Sequence, residues 1–197
     1  MNKNELSIIW NLRAEKKKVF WYESVFTDEE IQNIKFLVEK IKLEDATVME
    51  NKYKEVRKSS VAWIDANSDS EWLYKKLVDV VFHANSVNFN LNLAGFEMLQ
   101  FTFYDSKVKG FYGTHVDIFS QPINYLNRKL SFSVQLSDPS EYDGGELFIE
   151  PLNEKIEAKK TKGSITFFES TERHQVMPVT RGSRYALVGW VSGPSIT

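Results

Sequence analysis

Leu130-Ser131-Phe132-Ser133-Val134-Gln135-Leu136-Ser137 alternates without a break, every even position apolar and every odd one polar. Successive side chains of a strand point to opposite faces, so this stretch predicts a β-strand with one wholly apolar and one wholly polar face. Short alternating stretches recur from Phe96 onward. Phe96 to Tyr104, Phe111 to Ile118, Glu146 to Glu150, Lys155 to Ala158, Ser164 to Phe168, His174 to Val179 and Arg184 to Val191 read as further strands, punctuated by turn residues. Strands of this length and spacing predict a double-sheet jelly roll. The expected class is α+β, mainly β: a double-stranded β-helix with N-terminal helices packed on the outer face of one sheet.

Upstream of the strands the period is helical. Thr27-Asp28-Glu29-Glu30 has capping-box spacing, and Ile31, Ile34, Val38 and Ile41 mark one apolar face after it. Ser68-Asp69-Ser70-Glu71 repeats the capping signal ahead of a stripe formed by Trp72, Leu73, Leu77, Val80, Val81 and Ala84. Between these helices Val56 to Ile64 reads as a strand. No repeat, low-complexity tract or linker divides the chain, so residues 1–197 are expected to form one domain, with 1–95 a mainly helical buttress and 96–197 the jelly-roll core.

Composition narrows the function. Of 197 residues, 42% are hydrophobic and 14% aromatic, enough to build a core without disulfides or a structural metal. The chain has no cysteine, which excludes thiolate catalysis and every Cys-ligated zinc or iron-sulfur site. The cluster Ile8-Ile9-Trp10 is too brief for a secretory signal, and no stretch approaches the roughly 18 apolar residues of a membrane span. A cytoplasmic location and no membrane partner are the expectation. A net charge of −2 and a pI near 6.0 argue against a nucleic-acid partner, which usually needs a large basic footprint. Lys16-Lys17-Lys18 follows Glu15 and reads as a solvated face.

Two of the three histidines fall in one constellation: His115-x-Asp117, then His174, then Arg184. Residues two apart on a strand point the same way, so His115 and Asp117 are expected to face one pocket with Val116 packed on the opposite side. Two imidazoles and one carboxylate on a rigid sheet suit iron(II) and leave coordination positions open for an oxidant and a co-substrate. A histidine-x-aspartate pair alone is common, often a partly buried histidine bonded to its neighbour. Joined to a later strand histidine and an arginine, it is much more specific.

Five stretches carry a resemblance: Leu99-Gln100-Phe101-Thr102-Phe103-Tyr104, Gly113-Thr114-His115-Val116-Asp117, Arg128-Lys129-Leu130-Ser131, Asp143-Gly144-Gly145-Glu146-Leu147, and His174 through Trp190. With Phe26-Thr27-Asp28-Glu29-Glu30 and Val56-Arg57-Lys58-Ser59, they make the chain resemble the iron(II)/2-oxoglutarate-dependent oxygenases, in particular their prolyl 4-hydroxylase-like branch. The resemblance implies that His115, Asp117 and His174 ligate catalytic iron(II), and that Arg184 pairs with the distal carboxylate of 2-oxoglutarate through its planar fork. It also implies Tyr104, Ser131 and Ser133 around the co-substrate, and Tyr112, Trp190 and Arg57 on the substrate side. The implied cofactor set is Fe(II), 2-oxoglutarate and O2, with ascorbate as a candidate addition.

Several assignments keep a plainer alternative. A hairpin through Arg181-Gly182 need not bring Arg184 and His174 to one face, and Arg184 would then be a surface ion pair. Trp190 shares a strand face with Arg184, Ala186 and Val188, as pocket wall or as core. Ser131, Ser133 and Gln135 have solvent exposure as their alternative, and Arg57 has an exposed ion pair. His83 reads as a packed or surface histidine, and Asp143-Gly144-Gly145-Glu146 as a tight turn in place of a chelating cluster. Phe119 to Asn127, with Pro122 and Tyr125, reads as a loop immediately after Asp117, a position from which a loop can close over substrate, though its length alone does not establish motion.

The activity implied is oxidative decarboxylation of 2-oxoglutarate to succinate and CO2, coupled to hydroxylation of a C–H bond. A prolyl residue in a protein or peptide is the first substrate expected, and a free amino acid or other small molecule the second. The nucleic-acid demethylase branch fits less well, because Tyr185 to Thr197 lack a second arginine. A non-catalytic metal-binding jelly roll is the rival class. Against it stands the complete set of three ligands and an arginine.

Overall fold

The computed structural model describes residues 17–41, 43–46, 48–51, 54–121 and 123–195; Ile8-Ile9-Trp10, Lys16 and Pro122 lie outside them. In chain order the elements are β1 (Val19–Tyr22), α1 (Asp28–Glu39), β2 (Glu44–Asp45), β3 (Val48–Asn51), β4 (Lys54–Lys58), β5 (Ser60–Ile64) and α2 (Glu71–Ala84). One π-helical turn, Asn85–Phe89, continues α2. Then come β6 (Gly95–Phe96), β7 (Leu99–Asp105), β8 (Phe111–His115), β9 (Leu126–Gln135), β10 (Tyr142–Gly144), β11 (Leu147–Ile149), β12 (Ile156–Glu157), β13 (Ile165–Glu169), β14 (His174–Val176) and β15 (Val179–Pro194).

Two antiparallel sheets face each other. The major sheet runs β1-β13-β9-β15-β7-β5-β2, with β6 and β10 on β15, and the minor sheet runs β12-β11-β14-β8-β4-β3. This is the jelly roll expected. The alternation in β9 explains its layering. Leu130, Phe132, Val134 and Leu136 are fully buried and pack with Ile31, Ile34, Leu37 and Val38 of α1 and Leu73, Leu77, Val81 and Ala84 of α2. Ser131, Ser133, Gln135 and Ser137 are buried as well. Their face is the inner one, toward the minor sheet, so solvent exposure is not their role. β7 repeats the pattern, with Leu99, Phe101 and Phe103 toward the helices and Gln100, Thr102 and Tyr104 inward; so does β15, with Tyr185, Leu187 and Val191 outward and Arg184, Ala186, Val188 and Trp190 inward. At Gly189 a Cβ would stand 2.2 Å from Phe132 Cζ, so only glycine leaves room for the tip of the Phe132 ring against β15.

The first helix starts as its sequence predicts. Glu30 N donates to Thr27 Oγ1 at 3.2 Å while Thr27 N donates to Glu30 Oε2 at 2.8 Å, a complete capping box. The second does not. Ser70 sits at the N-cap without a side-chain cap, its hydroxyl turned back to accept from Asn67 N at 3.1 Å and to donate to the Asp65 carbonyl. An Asn67-centred turn, with Asp69 N donating to Asn67 Oδ1 at 2.9 Å, replaces the capping box.

Several strand boundaries depart from the sequence reading, among them Phe96 to Tyr104, which divides into β6 and β7. Val56 to Ile64 is two strands broken at Ser59: β4 pairs β8 in the minor sheet and β5 pairs β7 in the major one. The chain ahead of residue 95 therefore supplies strands to both sheets as well as the two helices. His174 to Val179 breaks at Met177-Pro178, since Pro178 has no N–H for a ladder. β14 and β15 consequently lie in different sheets, and β15 runs straight through Arg181-Gly182, where no hairpin forms. Lastly, β8 ends at His115. Among the described residues no helix is long and apolar enough to cross a membrane.

Candidate active site

His115 ends β8 directly opposite His174, which begins β14. Asp117 comes from the chain just past β8, where its backbone N–H donates to Ser170 O at 3.0 Å. Its Oδ1 stands 3.7 Å from His115 Nε2 and its Oδ2 stands 3.4 Å from His174 Nε2. Among the described residues these three form the one grouping of potential metal ligands, with donor atoms within 4.8 Å of one another. Because Asp117 has left the strand, alternation does not set its direction. Val116 accordingly does not pack on an opposite face: it is 40% exposed and lines the pocket.

Each partner fixes the donor atoms. His115 Nδ1 lies 2.8 Å from Gly113 O and His174 Nδ1 lies 3.0 Å from Glu172 O. A carbonyl only accepts, so each Nδ1 carries the proton and each Nε2 turns its lone pair toward Asp117. Burial, then the neighbouring His174 ring, push the His115 imidazole down to about 4. It is neutral at pH 7, the form that binds a metal. Ser131 Oγ donates to Asp117 Oδ2 at 2.7 Å and lies 2.9 Å from Ser170 Oγ, which holds the carboxylate in one orientation. Two imidazole nitrogens and a carboxylate oxygen, closed on one side by protein and open to a cavity on the other, match the donor chemistry of iron(II).

The cavity, about 370 Å³, runs between the sheets. Arg184 and Tyr104 are cross-strand neighbours in it, both nearly wholly buried, with the guanidinium 5.7 Å from the phenol ring. Crossing between sheets, not a hairpin, brings Arg184 and His174 to one cavity. Among the described residues no carboxylate pairs with Arg184, so the surface ion pair is not its role. Burial raises the Tyr104 phenol above its ordinary range, so it stays a neutral hydrogen-bond donor. Ser133 is on the cavity wall, whereas Ser131 lies behind Asp117.

At the far end of the inward face of β15 stands Trp190, 5% exposed, with Trp63 at 6.1 Å and the Arg128 guanidinium 3.8 Å from its ring. Glu97 holds Arg128 with Nη2–Oε2 at 2.7 Å. Arg57 is not in an exposed ion pair. It is buried, Nε donating to Ser59 Oγ at 2.9 Å and Nη2 to Gln100 Oε1 at 2.9 Å, because the switch at Ser59 turns it inward. Its guanidinium lies 4.6 Å from the Tyr112 ring, which stacks on His115 at 3.6 Å. Gln100, Thr102, Trp63 and Arg128 line the cavity although sequence reasoning did not single them out. The alternation in Leu99 to Tyr104 carried the signal for the first two.

The remaining candidates stand apart. Asp143 pairs with Arg181 at 2.6 Å and Glu146 with Lys160 at 2.8 Å, while Gly144 and Gly145 take φ of 75° and 64°: a tight turn, as expected. His83 lies at the surface against the Tyr22 hydroxyl. Lys18 is held by Glu169 and Glu172. The loop after Asp117 is shorter than read, because Leu126 and Asn127 belong to β9. Asn124 and Tyr125, with φ of 50° and 62°, turn it between Ile123 and Leu126, and the Asn127 side chain clamps the backbone of Phe119.

The fold is thus a jelly roll whose cavity carries a candidate metal site. Residues 99–192 match the model of the 2OG-Fe(II) oxygenase superfamily. A PKHD-type hydroxylase of Hyphomonas neptunium is 43% identical over 82 residues, 41% of this chain; the chain spans 37% of that relative's length. The PKHD-type hydroxylase of Maricaulis maris is 42% identical over 80 residues. The fold is that of solved prolyl hydroxylases. A Pseudomonas putida prolyl-4-hydroxylase superposes with a TM-score of 0.70 at 20% identity, over 96% of this chain and 98% of its own. A Trichoplax adhaerens prolyl hydroxylase, solved with a hypoxia inducible factor oxygen degradation domain peptide fragment, gives 0.71 at 16% identity over 97% and 93%.

Proposed function

We propose that the chain acts as a single-domain iron(II)- and 2-oxoglutarate-dependent dioxygenase that hydroxylates a C–H bond, with a prolyl residue in a protein or peptide as its substrate. The observation that carries this is the convergence of His115, Asp117 and His174 with Arg184 in one buried cavity. Iron bound there supplies the oxygen chemistry, coupled to decarboxylation of 2-oxoglutarate to succinate and CO2. The chain's own groups hold and orient. His115, Asp117 and His174 offer three ligand atoms, and Ser131 keeps one Asp117 oxygen engaged so that the other stays free. Arg184 receives the far carboxylate of 2-oxoglutarate, Tyr104 donates its phenol proton to that carboxylate, and Ser133 adds a polar wall.

On the substrate side Tyr112, Arg57 and Trp190 form the contact surface, and Trp63 and Phe119 exclude water. The prolyl reading is supported by the shared fold with the Pseudomonas putida prolyl-4-hydroxylase and by the peptide fragment bound to the Trichoplax adhaerens prolyl hydroxylase. The test incubates the protein with iron(II), 2-oxoglutarate, O2 and proline-containing peptides. Peptide mass rising by one oxygen on proline, with matching succinate, is expected. His174→Ala abolishes both in a protein that stays folded. Iron-dependent turnover surviving in that variant, or oxygen found only on a free acid or a nucleobase, would overturn the reading.

A further inference from the structure

We infer that the substrate presents a carboxylate to Arg57. This rests on the oxygenase reading above and adds the chemical class that the cavity selects. Three guanidiniums line the cavity. Arg128 has its counter-charge in Glu97, and Arg184 has the distal carboxylate of 2-oxoglutarate. Arg57 has none. It is 8% exposed, and among the described residues no carboxylate stands within ion-pairing distance of it. The Ser59 hydroxyl, the Gln100 side-chain carbonyl and the Tyr112 ring are all neutral.

A buried cation without a counter-charge is costly, and an arginine carries five donors in a fixed fork. Ser59 and Gln100 occupy two of them, on Nε and Nη2, and the neutral Tyr112 hydroxyl engages the guanidinium as well. The charges of the loaded site point the same way. Iron(II) cancels the 2-oxoglutarate dianion, the two imidazoles are neutral, and Asp117 offsets one of the two remaining cations, Arg57 and Arg184. One positive charge is left over, and Arg57 is the cation with no assigned partner.

Position limits where the carboxylate sits in the substrate. The Arg57 guanidinium and the His115 ring stand 4.6 and 3.6 Å from the same Tyr112 ring, so they are at most 8.2 Å apart. An extended residue spans about 3.3–3.6 Å. The carboxylate therefore belongs to the residue hydroxylated, as the α-carboxylate of a C-terminal prolyl residue, or is the side chain of an acidic residue beside it.

Two matched probe pairs separate these sources: N-acetylproline against N-acetylprolinamide, and acetyl-Ala-Pro-Asp-amide against acetyl-Ala-Pro-Asn-amide. Each is titrated calorimetrically, without O2, into protein already loaded with iron(II) and 2-oxoglutarate. The expected result is at least tenfold tighter binding of the carboxylate in one pair, identifying its source, and a preference reduced below twofold in Arg57→Gln. Arg57→Lys keeps the charge but loses the fork, and is expected to fall between the two. Equal affinities within both pairs, no binding of either carboxylate probe at millimolar concentration, or a preference that survives in Arg57→Gln and Arg57→Lys would overturn the inference alone. Failure of the wild-type protein to take up iron(II) and 2-oxoglutarate would instead sink the oxygenase reading beneath it.

Discussion

Ser131→Ala removes the hydroxyl that donates to Asp117 Oδ2 over 2.7 Å, at a position with no exposure. The change deletes one oxygen and leaves β9, its ladder and its apolar face intact, so little repacking follows. Asp117 then keeps its carboxylate buried with one oxygen unpartnered and its orientation free. A hydrogen bond to a charged group contributes about 1.5–3 kcal/mol, equivalent to roughly 10- to 150-fold in an equilibrium constant at about 1.4 kcal/mol per factor of ten. Outer partners of metal ligands typically account for about 10- to 100-fold in metal affinity. Iron(II) affinity is therefore expected to fall by about one to two orders of magnitude, read by anaerobic titration with manganese(II) as a second metal. Ser133→Ala serves as the control: Ser133 is on the same face but makes no bond to Asp117, so iron affinity should hold. Iron affinity within twofold of wild type in Ser131→Ala would refute the positioning role.

Gly189→Ala places a methyl 2.2 Å from Phe132 Cζ and is expected to destabilise the fold by about 1–3 kcal/mol in urea unfolding; an unchanged midpoint would show that the ring yields freely. Thr27→Ala breaks the capping box and should cost about 1 kcal/mol in the same assay, with no change in iron affinity. Arg184→Gln should raise the 2-oxoglutarate concentration needed for half-saturation at least about tenfold while iron binding holds, since a charge-assisted bidentate pair is lost. Equal half-saturation in calorimetry would remove Arg184 from the co-substrate site.

The jelly roll was legible because strands buried on both faces still alternate when one face is a core and the other a polar cavity. β9, β7 and β15 write that difference directly into sequence as apolar and polar positions in turn. Alternation also tied Arg184 to Trp190. It was silent where the chain leaves the lattice: Asp117 faces the cavity from beyond β8, held by Ser131 and Ser170, and Ser59 moves the chain between sheets without a proline or glycine to announce it. The exposed ion pair offered for Arg57 fails for the same reason. A charged residue reads as exposed unless its partner is known, and Gln100 lies far along the chain. The Ser68-Asp69-Ser70-Glu71 capping pattern failed because Asn67, one residue earlier, takes the Asp69 and Ser70 N–H groups into its own turn.

His115, Asp117 and His174 are expected to hold iron(II) beside 2-oxoglutarate. Anaerobic titration of the protein with iron(II) and then 2-oxoglutarate, followed by visible absorption, tests it most directly. A weak metal-to-ligand charge-transfer band that saturates at one equivalent and is lost in folded Asp117→Ala is the predicted result. No band in folded wild-type protein, or an undiminished band in Asp117→Ala, would contradict the account.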